Sequence, residues 1–169
     1  MKRVYLLRHA KSSWKDGSLA DRERPLAGRG RRAAKAVARH LEKERIRPDL
    51  VLCSPARRTR ETLERVEGAF DDRVEARLDE ALYGASESKL LACLKALPRE
   101  VGSVLLIGHN PGLGELALAL ASEGAGLACL REKYPTGALA TIDLPAEQWS
   151  AIKRGSGELV AYVRPRDLE

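Results

Sequence analysis

Cysteine is scarce in this chain, with only Cys53, Cys93 and Cys129 among 169 residues, odd in number and far apart. That spacing supports neither a disulfide framework nor a zinc site, and it fits a reducing, cytoplasmic setting. Aromatic residues are also few, at 4%, so a core has to be built from Leu, Ala, Val and Ile. No aromatic-basic platform of the kind that stacks nucleobases is recognisable, and neither is a helix-turn-helix or zinc-finger spacing. Long apolar runs are missing as well: Val4-Tyr5-Leu6-Leu7, near the start, is too short for a signal-peptide core or a membrane span. Nucleotide-binding loops are not present, since no Gly-Lys-Ser/Thr occurs and Gly28-x-Gly30 lacks both a preceding strand and a third glycine. Carboxylate clusters and His/Cys ligand spacings are absent, which predicts a protein that works without metal or other cofactor.

What the chain does have is apolar sequence, 44% of its residues, enough to bury one sizeable core, and its length predicts a single domain over 1–169. It also carries an excess of positive charge. The formal net charge is +6, and Lys2, Arg3, Arg8, Lys11, Lys15, Arg22, Arg24, Arg29, Arg31, Arg32 and Lys35 crowd the first 35 residues. Charge of that sign and density favours acidic partners, phosphate in some form first among them. Nucleic acid and membrane are set aside by the missing motifs; the oligomeric state is left open, with a monomer favoured.

Val4 to Leu7 breaks abruptly into charge at Arg8, as a buried parallel strand does at its carboxyl end. Ala33, Ala34, Val37, Ala38 and Leu41 recur at three-and-four spacing among Arg and Lys, which predicts an amphipathic helix over 28–44, ended by Pro48. Leu50 to Cys53 repeats the strand pattern, Ser54-Pro55 signals a helix start, and a charged helix should run to about Phe70. A weaker strand is expected at 74–78, a helix over 86–97 with Ser86 as its N-cap, and the strongest strand at 103–107. Asn110-Pro111 marks a turn before a helix over 113–121. Two more strands, 138–144 and 157–163, flank a short helix at 147–153, and one of them is a candidate antiparallel edge strand. This alternation predicts a three-layer α/β sandwich with a mainly parallel central sheet. The longest connections, 10–27 and 123–137, are too short to build a cap domain, so the site should lie open.

In open α/β sheets, ligands bind beyond the carboxyl ends of the strands. Three predicted strands deliver polar residues to that edge: Arg8-His9, Ser54 through Arg58, and Gly108-His109. His40 sits instead in the basic helix and reads as a solvated surface residue. Cys53, inside an apolar strand, reads as core rather than nucleophile.

Leu7-Arg8-His9-Ala10-Lys11 resembles the signature of the histidine phosphatase superfamily, in which an Arg-His pair follows the first strand. Arg24-Pro25-Leu26 with Gly30, Ser54-Pro55-x-x-Arg58-x-x-x-Thr62, and Gly108-His109-Asn110-Pro111-Gly112 match that family in order and approximate spacing. The likeness is greatest to its short SixA-like branch, the phosphohistidine phosphatases, and the Trp149 and Val163-Arg164-Pro165 region extends it over nearly the whole chain. The resemblance implies a phosphoglycerate-mutase-like fold and a phosphoryl intermediate on His9, with Arg8, Arg58 and His109 holding the phosphate of a phosphohistidine protein or a small phosphomonoester. It selects Arg58 over its neighbour Arg57, which is left to the surface. It also points to a carboxylic acid after the third strand as proton donor, for which Glu80 is the candidate, and Arg24 becomes a second candidate for phosphate contact, from a loop that also carries Asp21.

The chemistry agrees with these residue types. An imidazole attacks phosphorus only through an unprotonated nitrogen, and a reference pKa near 6.5 with an adjacent Arg8 favours the neutral ring. Its other N–H needs an acceptor, expected to be a backbone carbonyl. Phosphoryl transfer without metal requires several fixed donors around three equatorial oxygens, a task suited to the planar guanidinium fork. A phosphomutase using the same intermediate, or a non-catalytic module binding phosphoryl groups or nucleic acid, are the competing readings. The first would need insertions that close over the site, and the second gives no role to both His9 and His109.

Overall fold

Alternation along each buried strand decides the layers. In β1 (Lys2–Arg8) Val4 and Leu6 face one way and Tyr5 and Leu7 the other, and both sets are buried. The same division runs through β2 (Leu50–Cys53) and β4 (Ser103–Gly108). A strand apolar on both faces needs cover on both. In this computed structural model, which describes residues 1–70 and 72–168, α1 (Gly28–Lys43) and α2 (Arg57–Val66) supply one cover through Val37, Leu41, Leu63 and Val66. On the other side α3 (Glu87–Lys95) and α4 (Gly112–Leu120) bring Leu90, Leu94, Leu113 and Leu116. Ser86 caps α3 as expected, its hydroxyl accepting the Lys89 amide at 3.2 Å.

The sheet has the order β3-β2-β4-β1-β6-β7-β5, with β3 at Glu75–Leu78, β5 at Ala121–Glu123, β6 at Leu139–Leu144 and β7 at Gly157–Val163. The pairings of β1 with β4, β2 with β4, β2 with β3 and β5 with β7 are parallel, while β6 runs antiparallel to both β1 and β7. The mainly parallel, three-layer expectation holds. The edge assignment does not: β6 and β7 both have neighbours on each side, and the edge beyond them is β5, a strand of only three residues, with β3 at the opposite edge. The stretch expected as a 123–137 connection contains α5 (Leu127–Glu132), whose Leu127 and Leu130 reach the core. The charged helix after Ser54 ends its α-helical part at Val66 and continues as a 3-10 turn over Glu67–Ala69, and the short helix near 150 is a single 3-10 turn, Trp149–Ala151. Trp149 is fully buried, and its indole N–H donates to the Val101 carbonyl at 2.7 Å. No helix among the described residues is long and apolar enough to cross a membrane.

Candidate active site

The three central strands β2, β4 and β1 end at one level. Arg8 registers opposite Gly108, the His9 amide donates to the Gly108 carbonyl at 3.1 Å, and the Ser54 amide donates to Ile107 at 3.0 Å. Strand register therefore brings His9 and His109 together, with ring centroids 5.5 Å apart. Gly30 lets the start of α1 close on the same loop, because a Cβ there would stand 2.0 Å from the Lys11 carbonyl oxygen.

His9 is 6% exposed. Its Nδ1 lies 2.7 Å from the Ala10 carbonyl oxygen, and since a carbonyl only accepts, Nδ1 carries the proton and Nε2 the lone pair. The Ala10 amide is in turn held by Thr62 Oγ1 at 3.1 Å, and that hydroxyl donates to the Arg58 carbonyl at 2.7 Å. Helix α2 thus aims the His9 ring through one loop residue. Burial first, and then the His109, Arg58 and Arg8 charges, pull the His9 pKa down to about 3. The ring is neutral at pH 7, as a nucleophile must be.

Two measurements check this assignment. Nitrogen-15 NMR of the imidazole should show His9 neutral, with the proton on Nδ1, down to pH 5, and an imidazolium signal at that pH would contradict it. Stability follows the same shifts. His9, at about 3, and His109, at about 4, both lie below their ordinary 6.5 in the folded chain, so the unfolded chain binds more protons in acid. The stability they contribute is present above pH 6.5 and lost as pH falls through 4 and 3, so Tm should fall over that window, and by less in a chain lacking both imidazoles.

Arg8, Arg58 and His109 gather near the His9 ring. Arg8 Nη1 donates to the Tyr134 carbonyl at 2.9 Å. Arg58 donates from Nη1 to the Asp21 carbonyl at 2.8 Å and from Nη2 to the Asp21 carboxylate at 3.1 Å. His109 Nε2 lies 2.7 Å from Ser54 Oγ. Ser54 Oγ also accepts the Ala56 amide at 3.4 Å; when its own proton is given to His109 Nε2, the ring proton sits on Nδ1. Among the described residues, the buried side-chain polar atoms left without a partner are Arg8 Nε, Arg58 Nε and His109 Nδ1. Buried donors are ordinarily satisfied. These three belong to the three residues whose charges reach His9, and a tetrahedral oxyanion beside Nε2 is the acceptor they suit.

The 10–27 loop and residues 79–85 wall the site. Tyr83 stands edge-on to His109 at 5.6 Å between centroids, and its hydroxyl donates to the Asp21 carboxylate. That hydroxyl, followed by Arg58 and Arg24, draws the Asp21 pKa to about 2. Arg24 is buried but engaged: it donates to Ser12 Oγ at 2.9 Å, to the Ser13 carbonyl at 3.3 Å and to Asp21 at 3.4 Å, and it stacks on Trp14. Its place is that of a loop clamp. Glu80 lies outside the donor cluster as an exposed carboxylate, 2.7 and 3.0 Å from the Arg22 guanidinium, which lowers its pKa. An ionised carboxylate is not the form that donates a proton. Arg57 turns away to pair with Glu61 at 3.3 Å. Cys53 is fully buried and its thiol is pushed up to about 12, which leaves it inert.

Sequence reasoning brought Arg8, His9, Arg58 and His109 to one place but missed the partners that orient them. Ser54 was visible as a strand-tip residue, without its bond to His109. Asp21 and Tyr83 meet across 62 positions of sequence, and no local signal announces such a pair. Among the described residues no group of three or more His, Cys, Asp or Glu is arranged to hold a metal ion.

Known proteins resemble this chain along most of their length. The model of the histidine phosphatase superfamily, branch 1, matches residues 4–120. An uncharacterized protein of Mycobacterium tuberculosis is 36% identical over 164 residues, which cover 95% of this chain and 100% of that protein. A SixA-type protein of Agrobacterium tumefaciens superposes with a TM-score of 0.83 at 32% identity, over 97% of this chain and 98% of that one. A protein histidine phosphatase SixA complexed with tungstate gives 0.78 at 27% identity, over 99% of both chains. The chain belongs to the histidine phosphatase superfamily, and its fold is that of the short SixA-like phosphatases.

Proposed function

We propose that this protein removes phosphoryl groups from phosphohistidine on proteins, by way of a covalent intermediate on His9. The observation that carries the reading is the set of three partnerless nitrogens, Arg8 Nε, Arg58 Nε and His109 Nδ1, near a histidine whose Nε2 lone pair is fixed. In the first step the His9 Nε2 lone pair attacks phosphorus as the phosphorus–nitrogen bond of the substrate breaks, and the departing imidazole takes a proton from solvent. In the second step water attacks the phosphorus of phospho-His9, the new bond to nitrogen breaks, and inorganic phosphate leaves with His9 neutral again. The equatorial oxygens carry the developing charge, and Arg8, Arg58 and His109 meet it with donors that need no reorganisation. Imidazole is a good leaving group, so the chemistry makes little demand on a general acid. This suits a site in which Glu80 is ionised and held by Arg22. A SixA relative complexed with tungstate, an oxyanion, supports the reading of this fold as one that takes oxyanions.

The test is a comparison of turnover for a phosphohistidine peptide and a panel of small phosphomonoesters. Phosphohistidine should be hydrolysed with the highest kcat/KM, and a monoester preferred by orders of magnitude would move the enzyme to small metabolites. Chelator should leave the rate unchanged, because guanidinium and imidazole donors do the work a metal does elsewhere. Recovery of a chelator-suppressed rate on adding magnesium or zinc would overturn that part.

A further inference from the structure

The phosphate site does not account for the largest concentration of charge in the molecule. A groove of about 850 Å³ begins at Arg8 and runs between α1 and the chain end. Its floor is Ala33 and Ala36, and its far wall is Pro135, Pro165 and Leu168. Lys11, Arg29, Arg32, Arg39, Lys133 and Arg166 project along it, all exposed, and none of the described lining residues is a carboxylate. Arg164, which also borders the groove, is engaged by Asp167 at 3.1 Å.

The sequence explains why the groove exists. In α1 the buried positions Gly30, Ala34, Val37 and Leu41 form one stripe, and Arg29, Arg32, Ala33, Ala36 and Arg39 form the adjacent one. Two alanines in the middle of that stripe keep the floor low while the arginines rise on either side. Like charges so close repel one another in the free protein, and among the described residues none of these six cations is offset by an ion pair, so the arrangement gains stability when anions arrive.

We infer that this groove docks an acidic segment of the phosphoprotein substrate, next to the phosphohistidine that enters at Arg8 and His9. The inference rests on the phosphohistidine reading above and specifies its partner. Length favours a peptide segment: Arg29 to Arg39 spans about 15 Å at the rise of an α-helix, which about five residues of extended chain cover. Depth favours it too, because His9 is 6% exposed. A phosphohistidine reaching that atom brings its own backbone to the mouth of the site, where the groove begins.

The experiment uses two phosphohistidine peptides alike except that glutamates flank the phosphohistidine in one and glutamines in the other. At low ionic strength kcat/KM should favour the glutamate peptide by about tenfold or more, and the preference should fade as salt screens the charges. Arg32→Ser/Arg39→Ser/Arg166→Ser should bring the ratio to within about twofold of unity while hydrolysis of a small phosphomonoester is unchanged. A control losing as many charges elsewhere, Arg47→Ser/Lys95→Ser/Lys153→Ser, should keep the preference. Equal turnover of the two peptides by the wild type, or equal loss in both variants, would overturn the groove and leave the phosphatase reading standing. Anisotropy of a labelled, unphosphorylated glutamate peptide separates the two ideas. If neither phosphopeptide is hydrolysed yet this peptide binds the wild type and not the groove variant, the substrate reading fails and the docking surface stands. Tighter binding of a short DNA duplex than of the peptide would overturn the inference in favour of nucleic acid.

Discussion

An alanine at position 9 is expected to lower turnover by on the order of 10⁴-fold or more, because in the proposed mechanism it removes the atom to which phosphorus is transferred. Ground-state binding should suffer far less. Arg8 Nε, Arg58 Nε and His109 Nδ1 are positioned by Tyr134, Asp21 and Ser54, none of which depends on the His9 ring. Vanadate or tungstate should therefore still bind the variant, with Kd raised by no more than about tenfold, a loss of about 1.4 kcal/mol. A large fall in kcat with a small change in anion affinity distinguishes a lost nucleophile from a collapsed site. In the wild type, rapid quenching without acid should trap acid-labile phosphate on His9. Turnover by His9→Ala at the wild-type rate, or label confined to another residue, would remove His9 from the mechanism. The Ala10 carbonyl loses its buried partner in this variant, so thermal stability has to be measured alongside. His9→Asn, which keeps an N–H near that carbonyl, should be equally inactive and closer to wild type in Tm.

Most of what positions His9 could be read along the chain. A strand buried on both faces is a run of apolar residues that ends in a polar or charged one, and Val4 to Arg8, Leu50 to Ser54 and Ser103 to His109 all have that form. Where three such runs end level in one sheet, the polar residues after them must meet, so Arg8, His9, Arg58 and His109 were legible as a group. The edge of the sheet was not. Strand β5 has three residues, one of them buried, and α5 has six between glycines and Lys133, too few for a periodic pattern to rise above chance. Roles that depend on a partner's identity were equally hidden. Nothing around Glu80 reveals that Arg22, 58 positions away, occupies it, and nothing around Arg24 reveals that Ser12, Trp14 and Asp21 spend its donors on the loop. Local sequence reports which residues reach the edge of a sheet, and tertiary contacts decide which of them remain free to act there.

The pair Arg57 and Arg58 tests that distinction between neighbours of identical chemistry. Successive helix positions point about 100° apart, so only one of the two can face the strand tips. Arg58 does: its side chain is 8% exposed, two of its nitrogens are held by Asp21, and its Nε has no protein partner. Arg57 is 43% exposed and pairs with Glu61 one turn along. Arg58→Ala should cost on the order of 100-fold or more in kcat, as expected for a donor that meets charge developing in the transition state. Arg57→Ala removes an ion pair with Glu61 and a long bond to the Glu23 carbonyl, at 3.3 and 3.5 Å, and should stay within about twofold of wild type. Because Arg58 also anchors the 10–27 loop through Asp21, a structural cause has to be separated from a catalytic one. Arg58→Lys keeps the charge but lacks the fork that serves Asp21 and an oxyanion at once, so it should regain little of the lost rate. Asp21→Asn keeps an acceptor for Arg58 and removes only the carboxylate charge, and it should lower kcat by less than Arg58→Ala while moving Tm comparably. If Asp21→Asn proves as inactive as Arg58→Ala, the guanidinium acts through the loop and not on phosphate. If Arg57→Ala is the crippled variant, α2 presents a different face to the site from the one seen here.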